Sequence, residues 1–336
     1  MQIGVDLGGS KIEAAALGPA GEVLLRHRCG TPQQDYDGTV AAVRDLVLAL
    51  EAELGRRCSV GIGIPGTISP QSGLVKNANS TWLIGKPLDR DLSTALGRPL
   101  RLDNDANCFA LSEAVDGAAA GKRVVFGVIL GTGVGGGLVV DRQALTGAQA
   151  IAGEWGHNPL PWPEDEERPG PQCYCGKRGC IETYLSGPGL SRDHAAASGE
   201  SLAAPEIAER AAAGDAAARA SMERYYGRLA RGLASIINVV DPDAIVLGGG
   251  LSNLDTLYRE VPPRLPDHVF SDGCVTPLLQ ARHGDSSGVR GAAWLWRPEE
   301  LSEALGEAPQ RPADGPSDGP SDGPPDGPSD GRALRP

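Results

Sequence analysis

Ile3-Gly-Val-Asp-Leu-Gly-Gly-Ser-Lys11 is an apolar run that ends in paired glycines and two donor side chains. Val124-Val-Phe-Gly-Val-Ile-Leu-Gly-Thr-Gly-Val-Gly-Gly-Gly137 repeats the arrangement, and Ala244-Ile-Val-Leu-Gly-Gly-Gly250 does so a third time. Each reads as a buried strand followed by a turn where backbone must come close to something. After the first turn, Glu13 to Leu17 and Glu22 to His27 read as strands joined at Pro19-Ala-Gly21. Residues 39–54 carry apolar positions at helical spacing, Val60 to Ile64 and Leu100 to Leu102 return to strand, and Asn107 to Val115 reads as a helix. The second half repeats this theme, with a hairpin around Asp141-Arg142, Ala-rich helices between Leu202 and Val240, and a closing helix over Ser286 to Trp296. Two related α/β halves with a cleft between them are the economical architecture. The expected division is residues 1–118 with the closing helix (about 286–298), residues 119–285, and a tail over residues 299–336. Its Asp-Gly-Pro-Ser period cannot bury a core and predicts disorder.

The glycines suggest what the turns are for. Asp6-Leu-Gly8-Gly9-Ser10-Lys11 leaves backbone N–H groups able to approach phosphate oxygens. It has neither the Walker spacing nor a dinucleotide fingerprint, and alone it reads equally well as a tight hairpin turn. Gly131-Thr132-Gly133-Val-Gly135 occupies the matching place in the second half. Two such turns facing across a cleft would hold a nucleotide triphosphate from both sides. Gly248, Gly249 and Gly250 would accommodate a base or ribose, or simply form a helix-entry turn.

Composition narrows the partners. The chain has 336 residues and a net charge of −12, which argues against nucleic acid or an anionic membrane. From Glu299 onward there are nine acids and three arginines, so half of that charge lies in the last 38 residues. Seven cysteines, four of them scattered through strand-like stretches, fit a reducing compartment. Met1 leads into a strand with no basic-then-apolar leader, and no apolar run approaches the roughly eighteen residues a membrane helix needs. A cytoplasmic protein is expected.

Asp103-Asn104-Asp105-Ala-Asn107 ends a strand and opens a helix, the usual place for catalytic carboxylates in open α/β sheets. Helix capping explains one of these residues but not five polar or small ones. Transfer of a phosphoryl group to an alcohol needs a carboxylate within reach of the attacking hydroxyl. Asp105 is the candidate base and Asn104 orients the acceptor. The polar stretch Lys76-Asn77-Ala-Asn79-Ser80-Thr81-Trp82 suits sugar hydroxyls, or is an ordinary surface loop.

His157 followed by Cys173-Tyr-Cys175-Gly-Lys-Arg-Gly-Cys180 matches the Cys₃His donor set of tetrahedral zinc. Gly176 and Gly179 let the three sulfurs converge. Carboxylates flank the set at Glu154 and Glu182, where a purely structural knuckle needs none. A zinc-braced loop with acids facing water, and three free buried thiols, are the competing readings.

The paired glycine turns, Asn104-Asp-Ala-Asn107, Gly153-Glu-Trp-Gly-His157 and Cys173-x-Cys-Gly-x-x-Gly-Cys180-x-Glu182 together resemble the ROK family of bacterial sugar kinases and repressors, from Met1 to about Trp296. The stretches Val75 to Trp82, Ser112 to Gly121 and Ala281 to Trp294 are most similar to its manno(fructo)kinase branch. The resemblance implies an actin-like ATPase (ribonuclease H-like) fold that phosphorylates a hexose, D-fructose before glucose, mannose, N-acetylglucosamine or N-acetylmannosamine. It implies Asp105 as general base, with Asn79, Asn104, Glu154, His157 and Glu182 on the sugar. His157, Cys173, Cys175 and Cys180 would hold Zn²⁺, with His157 serving metal and sugar through opposite ring nitrogens. ATP phosphates would lie on Asp6 to Lys11 and Gly131 to Gly135, with Asp6 near Mg²⁺ and adenosine at Gly248 to Gly250. Relatives are commonly homodimers, so a homodimer is expected. Repressors of the family carry a helix-turn-helix ahead of the first glycine turn; here that turn begins at Asp6, which favours the kinase reading. Ser10 stands where many members have Thr, and the acidic tail has no family counterpart.

Overall fold

A computed structural model of the protein describes residues 1–305. Its first unit opens with β1 (Gln2–Leu7), β2 (Lys11–Leu17) and β3 (Val23–Gly30), an antiparallel meander. Helix α1 (Tyr36–Leu54) crosses over to β4 (Ser59–Ile64), which pairs parallel with β1. A two-stranded ribbon of β5 (Thr67–Ile68) and β6 (Val75–Lys76) and helix α2 (Leu88–Leu96) precede β7 (Arg101–Asn104), parallel to β4. Helix α3 (Asp105–Val115) then carries the chain to the second unit.

That unit repeats the first strand for strand. Strands β8 (Val124–Leu130), β9 (Val134–Val140) and β10 (Gln143–Ala144) form the meander, and β11 (Ala244–Gly248) and β12 (Leu278–Gln280) add parallel strands beside β8. The spatial orders β3-β2-β1-β4-β7 and β10-β9-β8-β11-β12 are therefore the same. Between β10 and β11 lie α4 (Glu182–Leu185), α5 (Gly187–Ser198), α6 (Ala204–Ala213) and α7 (Ala216–Val240), which cover the second sheet. This duplicated α/β arrangement is the actin-like ATPase fold.

Local chemistry sets several boundaries. Helix α1 starts earlier than its apolar spacing predicts because the Asp35 carboxylate caps it, accepting from Gly38 N at 2.9 Å. Helix α3 likewise starts at Asp105, capped by Asn104, rather than at Asn107. After the short α8 (Thr256–Glu260), the closing helix is α9, confined to Ser287–Ala293. Trp296 leaves it, because its indole N–H donates to Val60 O at 2.7 Å and its carbonyl accepts from Gln2 at 2.6 Å. The tail expected from residue 299 needs a correction at its start. Leu301–Ala304 form α10, Ala304 is buried, and Glu300 accepts from Arg101 at 2.8 Å and 3.0 Å. An ion pair and an apolar contact thus extend the ordered body past Glu299. The rest of the expected disordered tail, residues 306–336, lies outside the described residues.

Helices α3 and α9 join the two units. Phe109, Ala110, Leu111 and Ala114 of α3 pack with Val125, Val139, Ala244 and Val246 of the second sheet. On its other side α3 meets α9 so closely that a Cβ on Gly291 would overlap the Cys108 carbonyl, and α9 in turn lies so close to the first sheet that a Cβ on Gly4 of β1 or Gly61 of β4 would overlap its backbone. Gly291→Ala is expected to destabilise the fold by about 1–3 kcal/mol, because neither backbone can yield. A urea midpoint equal to that of the parent would show that the contact gives way.

Candidate active site

Asp105 stands where the two units meet. Asn104 fixes it: its Oδ1 accepts from Ala106 N at 2.9 Å and its Nδ2 donates to Gly66 O at 3.1 Å. Behind them Asp103 Oδ1 accepts from Asn107 Nδ2 and from Asn104 N, both at 2.7 Å. Helix α3 lies directly on β9, since a Cβ on Gly137 would sit 2.6 Å from Ala106 O and one on Gly135 would sit 3.3 Å from Ala106 Cβ. Asp105 itself opens onto the cleft yet is surrounded by protein. Burial raises its carboxyl to about 6, and the charges of Asp6 and Glu154 add to the rise.

Both glycine turns present free amides. In the first, the carbonyls of Gly8, Gly9 and Ser10 are taken from behind by Thr31 Oγ1, Gln33 Nε2 and Thr31 N. The amides of Gly9 and Ser10 have no acceptor among the described residues. In the second, Gly131 N donates to Gly133 O at 3.0 Å and Gly131 O accepts from Gly187 N at 2.8 Å, while the amides of Thr132 and Gly133 have no acceptor among the described residues. Unpaired amides in tight turns fit phosphate oxygens. Asp6, pushed up to about 6 by burial and by Glu13, receives no hydrogen bond from a described residue, a setting that a divalent cation would relieve. Gly248 and Gly249 have a packing reason to be glycine. A Cβ on Gly248 would strike the Phe109 ring, and one on Gly249, whose φ is 80°, would sit 2.5 Å from Leu130 O. Gly250 faces open space.

The acids expected on the sugar gather beside Asp105. Desolvation raises Glu154, His157 pulls it back down, and Glu182 adds to the rise. Lys76, which sequence reading left among loop polars, also lowers it, and its ammonium donates to Gln149 O at 2.6 Å, bridging the two units. Glu182 does more than face the cleft: its Oε2 accepts from Val134 N at 2.9 Å in the second glycine turn. Asn79 is exposed on the first unit, and among the described residues its side chain makes no hydrogen bond to the cluster. Asn104, engaged at both ends of its amide, is placed to hold Asp105.

His157, Cys173, Cys175 and Cys180 bring their donor atoms within 4.8 Å of one another. Gly176 at φ 88° and Gly179 at φ 71° turn the knuckle, which Cys173 N closes onto Lys177 O at 2.8 Å. Cys175 Sγ and Cys180 Sγ are 3.6 Å apart, as are Cys173 Sγ and His157 Nδ1. Ligands about 2.3 Å from a tetrahedral ion would be about 3.8 Å apart, so the set fits zinc. Burial, then the neighbouring Cys175 and Cys173, push the Cys180 thiol up to about 12, a crowding of sulfurs that a cation would relieve. The preceding loop is pinned to α7, where Arg228 and Arg231 both donate to Glu167 Oε1 at 2.7 Å.

One contact escaped the sequence altogether. The His157 nitrogen opposite the thiolates, Nε2, lies 2.9 Å from the Tyr174 hydroxyl, with the rings edge-to-face at 5.1 Å. Only the position of Tyr174, between two cysteines, could have pointed to it.

Comparison with known proteins places the chain. The family model described as "ROK family" matches residues 2–299. An N-acetyl-D-glucosamine kinase of Photobacterium profundum is 42% identical over 299 residues, 88% of this chain and 99% of that one. Its counterpart in Shigella boydii is 44% identical over the same shares. Among solved structures, a ROK hexokinase from Thermus thermophilus superimposes with a TM-score of 0.78 at 31% identity, covering 88% of this chain and 97% of that one. A ROK family glucokinase from Streptomyces griseus, in complex with glucose and AMPPNP, gives 0.69 at 29%, over 87% and 97%. On these likenesses this chain belongs to the ROK family and is a sugar kinase.

Proposed function

We propose that the protein transfers the γ-phosphoryl group of ATP to the primary hydroxyl of a hexose, in the cytoplasm. The observation that carries this reading is the position of Asp105, between two turns with free amides and beside Glu154. Asp105 takes the proton of the attacking hydroxyl as its oxygen bonds to phosphorus and the bond to ADP breaks. The amides of Gly9, Ser10, Thr132 and Gly133 meet the phosphate oxygens and neutralise their charge. Asp6 is the residue that would hold magnesium, whose chemistry is to neutralise the transferring group. Glu154, His157 and Glu182 orient the sugar, and zinc on the three cysteines and His157 Nδ1 would keep the imidazole in place.

The identity of the N-acetylglucosamine kinase relatives supports N-acetyl-D-glucosamine as the hexose. The stretches Val75 to Trp82 and Ala281 to Trp294, similar to manno(fructo)kinase, support D-fructose as a second reading. ADP release measured over a panel of hexoses decides between them. Turnover is expected with the preferred hexose and not with its 6-deoxy analogue. ATP hydrolysis indifferent to every hexose would sink the kinase reading.

A further inference from the structure

We propose that Tyr174 is a specificity-determining gate on the hexose site, its hydroxyl occupying the His157 nitrogen until a sugar oxygen displaces it. This rests on the kinase reading above. With Nδ1 of His157 turned to the three cysteines, 3.6 Å from Cys173 Sγ, the ring proton belongs on Nε2. Nε2–H therefore donates to Tyr174 Oη at 2.9 Å. That is the nitrogen through which His157 would hold a sugar, so the tyrosine and the hexose compete for one donor.

The competitor is built to leave. Tyr174 is 79% exposed, and among the described residues its hydroxyl meets His157 alone. Its neighbours in the chain, Cys173 and Cys175, are held by the metal set, so the backbone stays fixed while the phenol swings. Because the imidazole is a donor, the entering group must be an acceptor at that position, a hydroxyl or a carbonyl oxygen. A sugar lacking one cannot repay the lost tyrosine contact.

The test measures hexose binding by calorimetry without ATP, on zinc-loaded protein, beside steady-state kinetics. Tyr174→Phe keeps the ring and removes the hydroxyl. The hexose Kd and KM are expected to fall about two- to tenfold, the factor for one exposed neutral hydrogen bond. The kcat, ATP KM and zinc content are expected to stay unchanged, which a merely structural role for the ring would not allow. Tyr174→Ala is expected to lower the Kd at least as much. Normal turnover with an unchanged or higher hexose Kd in Tyr174→Phe would overturn the gate alone. Absence of turnover on any hexose in the parent protein would overturn the kinase reading and the gate with it.

Discussion

Asp105→Asn is expected to lower kcat by about 10²–10⁴-fold while leaving hexose affinity nearly unchanged, because the amide keeps the shape and cannot take a proton. The cap on α3 survives, since Ala106 N is also held by Asn104 Oδ1 at 2.9 Å, so the loss would be chemical rather than structural. The pH profile of the parent carries the same information. A carboxyl raised to about 6 is an active base above that value and an inactive acid below it. Activity is therefore full at neutral pH and falls as the pH drops through about 6, by about tenfold per unit once the carboxyl is protonated. Asp6 is raised to about 6 as well, by burial and by Glu13, but the magnesium it would hold keeps its carboxylate charged, so the acid limb is assigned to Asp105. Near-normal turnover in Asp105→Asn, measured by ADP release, would remove Asp105 as the base.

The second large effect follows from metal removal. Chelation of a Cys₃His zinc takes away folding energy of order 10 kcal/mol in small domains, and here it frees the segment that carries both His157 and Glu182. Hexose binding is expected to be lost. Nucleotide binding is expected to weaken as well, since Glu182 holds Val134 N at 2.9 Å in the second glycine turn. Glu182→Ala isolates that link. Loss of a hydrogen bond to a charged acceptor costs about 1.5–3 kcal/mol, or about ten- to 150-fold in affinity. Calorimetry with a non-hydrolysable ATP analogue, without sugar, reads it directly. An analogue Kd that ignores both chelation and Glu182→Ala would show that the knuckle serves the sugar alone.

Much of this site is written in short stretches of chain. The glycine turns, the Asn104-Asp105 corner and the cysteine spacing declare themselves because each demands unusual residues at fixed intervals. What stays hidden depends on which way a side chain turns. Nothing local says that Tyr174 folds back onto a histidine seventeen positions earlier, or that Lys76 reaches Gln149. Gly248 and Gly249 look like a nucleotide turn, yet the Phe109 ring and the Leu130 carbonyl, far away in sequence, already account for them. Asn104 reads as a sugar ligand, and only the fold adds that its Oδ1 caps α3 and one amide hydrogen meets Gly66 O, with one hydrogen and one lone pair left for a sugar. The ordered stretch beyond Glu299 is invisible for the same reason, because its partner Arg101 lies on β7.

The far end of α3 is tied as firmly as its start. Glu113 is fully buried and accepts from Ala118 N, Arg282 N, His283 N and the Ser287 hydroxyl, and Asp116 pairs with Arg290 and His283. These are the residues by which the chain returns from the second unit to the first. One stiff rod therefore has the candidate base at its tip and the fulcrum near its heel. Glu113 lies eight residues beyond Asp105, about 12 Å along the helix, so a swing of roughly 5° there carries Asp105 by about 1 Å. A shift of about 1 Å can change a rate by about a hundredfold. Turnover is thus mechanically geared to contacts that no substrate ever touches.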